Sequence, residues 1–217
     1  MTKTRKVAVV GLLSTLLFAG CAESPEDAPA AAKEQYEFTG PAYQSVRELA
    51  AHSHVVVQGR VIGELATGEV YGKEGPVPGP DGSAEPGMEM TFYTFEVSQF
   101  LAGKSPGRTL TLGWIGENTT SEQIQPIGNG EVVLFLEQLV ASDWPSIEAL
   151  IDGDFYIPTT GSDNSVMNVA DNNTVSARSK ALTVLEGKSR GQAPLVASID
   201  DVGRSAKPDV GTRVLQP

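Results

Sequence analysis

The chain has 217 residues, of which 40% are hydrophobic and 20% charged, and its formal net charge is −11. An acidic surface repels phosphate backbones and anionic headgroups, so the charge argues against nucleic acid as a partner and against a polybasic membrane contact. The sole cysteine excludes an intrachain disulfide, and two histidines leave little material for metal or acid–base chemistry. We expect one domain with tails, stabilised by packing alone.

Residues 1–20 are predicted to be an export signal. Three basic residues, Lys3, Arg5 and Lys6, precede an apolar stretch, 7–18. This stretch is shorter than the about 20 residues that cross a bilayer, but it fits the core of a signal peptide.

The end of this signal, Leu17-Phe18-Ala19-Gly20-Cys21, resembles the lipobox of bacterial lipoproteins. In that family a diacylglyceryl group is attached to the cysteine, which becomes the first residue after cleavage. The resemblance implies lipidation at Cys21, a membrane as partner and an extracytoplasmic location. Two acyl chains anchor a protein stably where one is marginal.

The anchor is predicted to lead through a flexible tether into one domain. Residues 21–42 are rich in Ala, Pro and Glu and have almost no large apolar side chains, which is typical of a solvated linker. The domain is expected over residues 43–203. Its first element is a short helix, because Ser45 and Glu48 have capping-box spacing. We expect this helix to end near His52.

Strands are predicted to follow this helix, with Gly59 marking a bulge or a bend in the first of them. The strand at 132–136 is continuously apolar and should be buried on both faces. The predicted strands are 54–65, 89–101, 109–114, 132–136, 149–157, 165–169 and a last one around 174–175.

Two segments outside the strands have distinct compositions. Residues 72–87 are rich in Gly and Pro, and this favours disorder over a functional loop. Near the end of the chain, Leu195, Ile199 and Val202 share one face of a predicted helix over 194–203. A frayed tail, 204–217, is expected after it.

The order of the strands resembles that of netrin-like, OB-fold domains. The segment His54-Val55-Val56-Val57-Gln58-Gly59-Arg60-Val61 is similar to their opening strand. The segments 93–97 and 100–104 resemble the next strand and its turn, and 128–136 the later strand that closes the barrel. The resemblance covers about residues 45–160. It implies a mainly β fold: a small OB-like or netrin-like antiparallel β-barrel with one or two short helices.

No residue cluster predicts a metal or a cofactor. His52 and His54 are two residues apart, but no third ligand is near them in the sequence, and structural zinc sites usually need four. The segments 152–154 and 171–173 are rich in Asp, Asn and Gly but lack calcium-loop spacing, so we interpret both as turns.

The remaining candidate for ligand binding is Trp144. Its loop-like context makes it the more exposed of the two tryptophans in our prediction, and Trp114 the more buried. No catalytic motif of the common hydrolase types occurs. We therefore expect a non-enzymatic binding or interaction module, with an envelope protein or a small ligand as partner. The alternatives are a hydrolase built from scattered residues such as His52, His54 or Asp154, and a structural envelope protein.

Overall fold

The computed structural model describes residues 42–115, 130–160, 163–187 and 193–213. All of them belong to one compact unit, residues 36–217. The fold is mainly β, as expected. Its elements are α1 (Val46–Ala51), β1 (Val55–Val70), β2 (Met88–Gly103), β3 (Thr109–Ile115), β4 (Val132–Val140), α2 (Pro145–Glu148), β5 (Asp154–Pro158), β6 (Val166–Ala170), β7 (Thr174–Ala177), β8 (Val196–Ser198) and α3 (Ile199–Ala206).

The first helix begins and ends where the sequence predicts. The Ser45 hydroxyl accepts a hydrogen bond from the Glu48 backbone N–H at 3.2 Å, which satisfies one of the free donors of the first turn. His52 follows the last helical residue as its C-cap. None of the helices in the described part of the chain has the length and apolar character needed to span a membrane.

Within the described ranges, eight strands form one sheet in the order β1-β2-β3-β5-β4-β6-β7-β8. β1 pairs antiparallel with β2 and, through its first five residues, also with β4. β3 and β5 are parallel and meet at a single pair of residues, Leu112 and Tyr156. The first five strands therefore form a cycle of pairings that runs from β1 through β2, β3, β5 and β4 back to β1.

The first five residues of β4, 132–136, are buried on both faces, as their apolar run predicts. Val133 and Phe135 belong to a cluster that includes α1, α3 and β6, whereas Val132, Leu134 and Leu136 belong to a second cluster with β2, β3 and β5. All five side chains are at most 1% exposed. The strand consequently lies at the centre of the core.

Gly59 lies at a β-bulge, as predicted. The register of β1 against β2 shifts between Gln58 and Gly59. A Cβ at Gly59 would lie 2.0 Å from the Glu96 carbonyl oxygen, so no larger residue fits there. At a further register shift, between Val56 and Val57, Leu101 of β2 is the extra residue. Leu101 belongs to the α1–α3 cluster, whereas Tyr93 of the same strand belongs to the second cluster.

The C-terminal part differs from the sequence prediction in two ways. Residues 196–198 are strand β8, and the helix begins only at Ile199, because the Ser198 hydroxyl accepts from the Asp201 N–H. The chain then stays packed beyond residue 204. Arg47 pairs with Asp209, and the Arg213 N–H donates to the Ala51 carbonyl. The chain is therefore packed as far as residue 213, within the segment that the sequence predicts to be a frayed tail.

Candidate functional site

A cavity of about 370 Å³ lies between loop 71–87, α2 and the neighbouring ends of β1, β2, β3, β4 and β5. Its volume falls at the lower end of the range of roughly 300–1,000 Å³ that is typical of ligand pockets. Its walls are mainly aliphatic, methionine and aromatic side chains. They include Val70, Val77, Met88, Met90, Trp144 and Phe155.

In the described part of the chain, two connections contribute to the walls of this cavity. Loop 71–87 joins β1 to β2, and its first and last neighbours in the strands, Val70 and Met88, are paired across the sheet. The second connection, between β4 and β5, contains α2. Trp144 is the N-cap of that helix, Pro145 starts it with a φ suited to the first turn, and buried Ile147 anchors it to the core.

The two connections are joined by weak polar contacts. The Tyr71 N–H donates to the Ser146 hydroxyl at 3.0 Å. Lys73 Nζ lies 3.5 Å from Asp143 Oδ2 and 5.5 Å from the centre of the Trp144 ring. Because Lys73 and Asp143 are both exposed, their ion pair contributes at most about 1 kcal/mol. These contacts link loop 71–87 to the α2 connection.

Loop 71–87 has internal order, in contrast to the disorder that its composition favours. The Gly79 N–H donates to the Ser83 carbonyl at 2.6 Å, and the Glu85 N–H donates to the Val77 carbonyl at 2.8 Å. The Asp81 carboxylate accepts from the Ser83 hydroxyl and backbone N–H, which holds the pKa of Asp81 below its usual value. These hydrogen bonds close a turn within the loop, and Val77 lies in the cavity wall.

The charge around the cavity is negative. Glu85 lies in the cavity wall itself. The Tyr71 hydroxyl donates to Glu69 at 2.7 Å, and this hydrogen bond raises the pKa of Tyr71. Lys73 and Glu74 both lie between two glycines of the wall, Gly72 and Gly75, and Lys73 is paired with Asp143.

A second, more polar pocket of about 440 Å³ opens beside β3 and β5. Threonine side chains, Asp154 and Tyr156 line it. Burial, together with the nearby Asp154 carboxylate, raises the pKa of the Tyr156 hydroxyl. Asp154 accepts a hydrogen bond from the Gln138 side-chain amide. Most of the polar residues that line this pocket therefore carry a hydroxyl group.

The two histidines have separate structural roles. The His52 ring stacks on Tyr43 with ring centres 4.8 Å apart. His54 Nδ1 accepts from the Gln138 backbone N–H at 3.0 Å, so Gln138 stands between His54 and Asp154. No Ser, Thr or Cys side chain in the described ranges hydrogen-bonds to His54. The residues suggested for a hydrolase are thus not assembled there with a nucleophile.

The acidic segments form turns. Asn172 and Asn173, between β6 and β7, have φ values of 75° and 64°, a conformation that Asn tolerates well, and Gly153 has φ 76°. Among the described residues, no group of three or more His, Cys, Asp or Glu side chains could hold a metal ion.

Of the residues singled out in the sequence, Trp144 lies at the cavity, where it is half-buried and lines one wall. Trp114 is also half-buried and packs against the second core cluster. Cys21 lies outside the described residues. Sequence reasoning missed α2, whose start is signalled by Pro145 directly after Trp144. It also missed Met88 and Met90, because nothing local shows that a loop folds back over them.

Comparison with known proteins assigns the chain to no family. The chain matches no protein-family model, no curated protein and no solved structure. A functional interpretation therefore rests on the geometry of the cavity and on the residues that form it.

Proposed function

We propose that the chain is an exported, lipid-anchored binding module that takes an apolar ligand group into the cavity beside Trp144. The observation that carries this proposal is the cavity wall. Val77 is 57% exposed and Met88 is 44% exposed, although both side chains are apolar and face a cavity. Apolar surface left open to water next to an aromatic ring is typical of a ligand site.

An OB-like barrel is the scaffold that we propose for this site. The cycle of pairings through β1, β2, β3, β5 and β4 supports it. In OB-folds the ligand lies against strands 2 and 3, between the connection of strands 1 and 2 and that of strands 4 and 5. Loop 71–87 joins β1 to β2, the α2 connection joins β4 to β5, and both line the cavity, which supports this scaffold.

Attachment to a membrane through Cys21 completes the proposal. The signal pattern of residues 1–20 and the lipobox-like end support it. We expect Cys21→Ser to leave the protein unprocessed or to release it from the membrane fraction, as measured by fractionation and intact mass. A normally matured Cys21→Ser protein that is still membrane-bound would contradict the anchor.

A nonionic probe with a decyl chain, decyl maltoside, tests the ligand site. Titration into the full chain carrying Cys21→Ser should change the fluorescence of Trp144, identified by difference from Trp144→Phe. Val77→Asp places a charge in the apolar wall and should weaken binding roughly tenfold, about 1.4 kcal/mol.

The matched control is Val196→Asp, because Val196 is 65% exposed on β8 and does not line the cavity. It should bind the probe as the parent does. Equal affinity of the two variants, or no response at Trp144, would rule out the cavity as the ligand site.

A further inference from the structure

The acidic residues around the cavity bear on the chemistry of the ligand. Residues 69–89, which include the first walling loop, contain five acidic residues and one lysine. The second connection, 141–153, contains three acidic residues and no basic one. Acidic residues therefore outnumber basic ones in both segments that contribute to the cavity, and one of them, Glu85, lines it.

The one lysine, Lys73, offsets only one of these acidic residues. Lys73 pairs with Asp143 on the α2 connection and lies over the Trp144 ring. Glu85 lines the cavity, and the described residues offer its carboxylate no ion-pair or side-chain hydrogen-bond partner. A carboxylate at the edge of an apolar wall is available for a ligand cation.

We propose that the ligand is a small amphiphilic cation, with its apolar group in the cavity and its positive group beside Glu85. This inference rests on the proposed function, since it specifies the ligand of that same cavity. A cationic group gains from the acidic residues of both walls, whereas an anionic group on the same apolar chain is repelled by them. Met88 and Met90 suit a flexible apolar chain, because methionine adapts its shape to irregular contacts.

Three probes that share a decyl chain test the proposal: decyltrimethylammonium, decyl maltoside and decyl sulfate. Each is titrated at low salt into the full chain carrying Cys21→Ser, with Trp144 fluorescence as the local signal. We expect decyltrimethylammonium to bind most tightly and decyl sulfate most weakly. Higher salt should reduce the difference, because the charges are exposed to solvent.

Glu85→Gln should weaken decyltrimethylammonium binding about two- to five-fold, the range of an exposed ion pair, and leave decyl maltoside binding unchanged. Glu48→Gln is the matched control, because Glu48 is an exposed carboxylate in the first turn of α1 and does not line the cavity.

The outcomes separate the two proposals. Equal binding of all three probes, a preference for decyl sulfate, or equal effects of Glu85→Gln and Glu48→Gln would overturn the cationic ligand and leave the apolar site standing. Failure of every probe to change the Trp144 signal would overturn the apolar site and the cationic ligand together.

Discussion

Residues 132–136 of β4 and the cavity end of the sheet both contain apolar side chains, but those of β4 are buried and some of those at the cavity end are exposed. At β4, Phe135 and Leu134 are fully buried in clusters on opposite faces. At the cavity end, Val77 and Met88 remain partly open to water beside half-buried Trp144. The contrast shows that apolar composition alone does not define the core. Residues covered on both faces form the scaffold, whereas residues covered on one face leave apolar surface that a ligand can contact.

The largest expected effect lies at β4. Phe135→Ala should reduce the free energy of unfolding by about 3–5 kcal/mol, because it leaves a cavity inside a closed cluster. Phe100→Ala, at a ring that is 40% exposed, should cost much less. Chemical denaturation of both variants measures the difference, and equal losses would remove the distinction between the two kinds of surface.

The next effect concerns the register shift at Gly59, where β1 and β2 approach closely. Gly59→Ala should destabilise the protein by about 1–3 kcal/mol, because its Cβ would collide with the Glu96 carbonyl. Gly63→Ala, four residues further along, meets nothing within 4 Å and should be neutral or slightly stabilising. Thermal unfolding compares the two, and a neutral Gly59→Ala would contradict the close approach of β1 and β2.

These two sites also show what the sequence can predict. The apolar run 132–136 predicts burial of both faces because each side chain must leave water, and the structure confirms this. The Ser45 cap of α1 and the bulge at Gly59 are equally local signals, and both are confirmed.

The cavity could not be predicted in the same way. The Gly and Pro content of loop 71–87 indicates weak local preferences, but the place of Val77 depends on tertiary contacts such as Tyr71 with Ser146. Strand β8 was predicted as helix because Leu195, Ile199 and Val202 share one helical face. Pairing of residues 196–198 with β7 outweighs that pattern. The loop-like context that makes Trp144 a ligand-binding candidate carries no information about the cavity, because the other residues of its wall come from distant strands.

A smaller effect is expected at the helix that covers one face of β4. Ser198→Ala should cost about 1 kcal/mol, because the Asp201 N–H in the first turn of α3 loses its acceptor. Ser198→Thr retains a hydroxyl and should retain most of the stability. Denaturation midpoints distinguish the two, and identical losses would mean that the cap does not stabilise α3.

The smallest effect is a difference between the pKa of a tyrosine in the core and that of a tyrosine at the cavity end. Burial raises the pKa of Tyr156 in the core, whereas the hydrogen bond to Glu69 is the main cause that raises the pKa of Tyr71 at the cavity end. A raised folded-state pKa adds stability below the unfolded value of about 10, and this stability is lost as pH rises through the folded value.

Glu69→Gln should therefore lower the pKa of Tyr71 towards its ordinary value and leave that of Tyr156 unchanged. Ring-carbon NMR shifts followed against pH report each tyrosine separately. An unchanged Tyr71 titration would show that its hydroxyl is not bonded to Glu69 in solution.

Methyl NMR of the methionines tests the division between scaffold and site most directly. Met88 and Met90 line the cavity, whereas Met167 is fully buried in the cluster between the sheet and the helices α1 and α3. On addition of decyl maltoside to the full chain carrying Cys21→Ser, we expect the Met88 and Met90 methyl signals to shift and the Met167 signal to stay in place. Unmoved Met88 and Met90 signals, or an equal shift at Met167, would contradict a ligand site at the loop-walled end of the sheet.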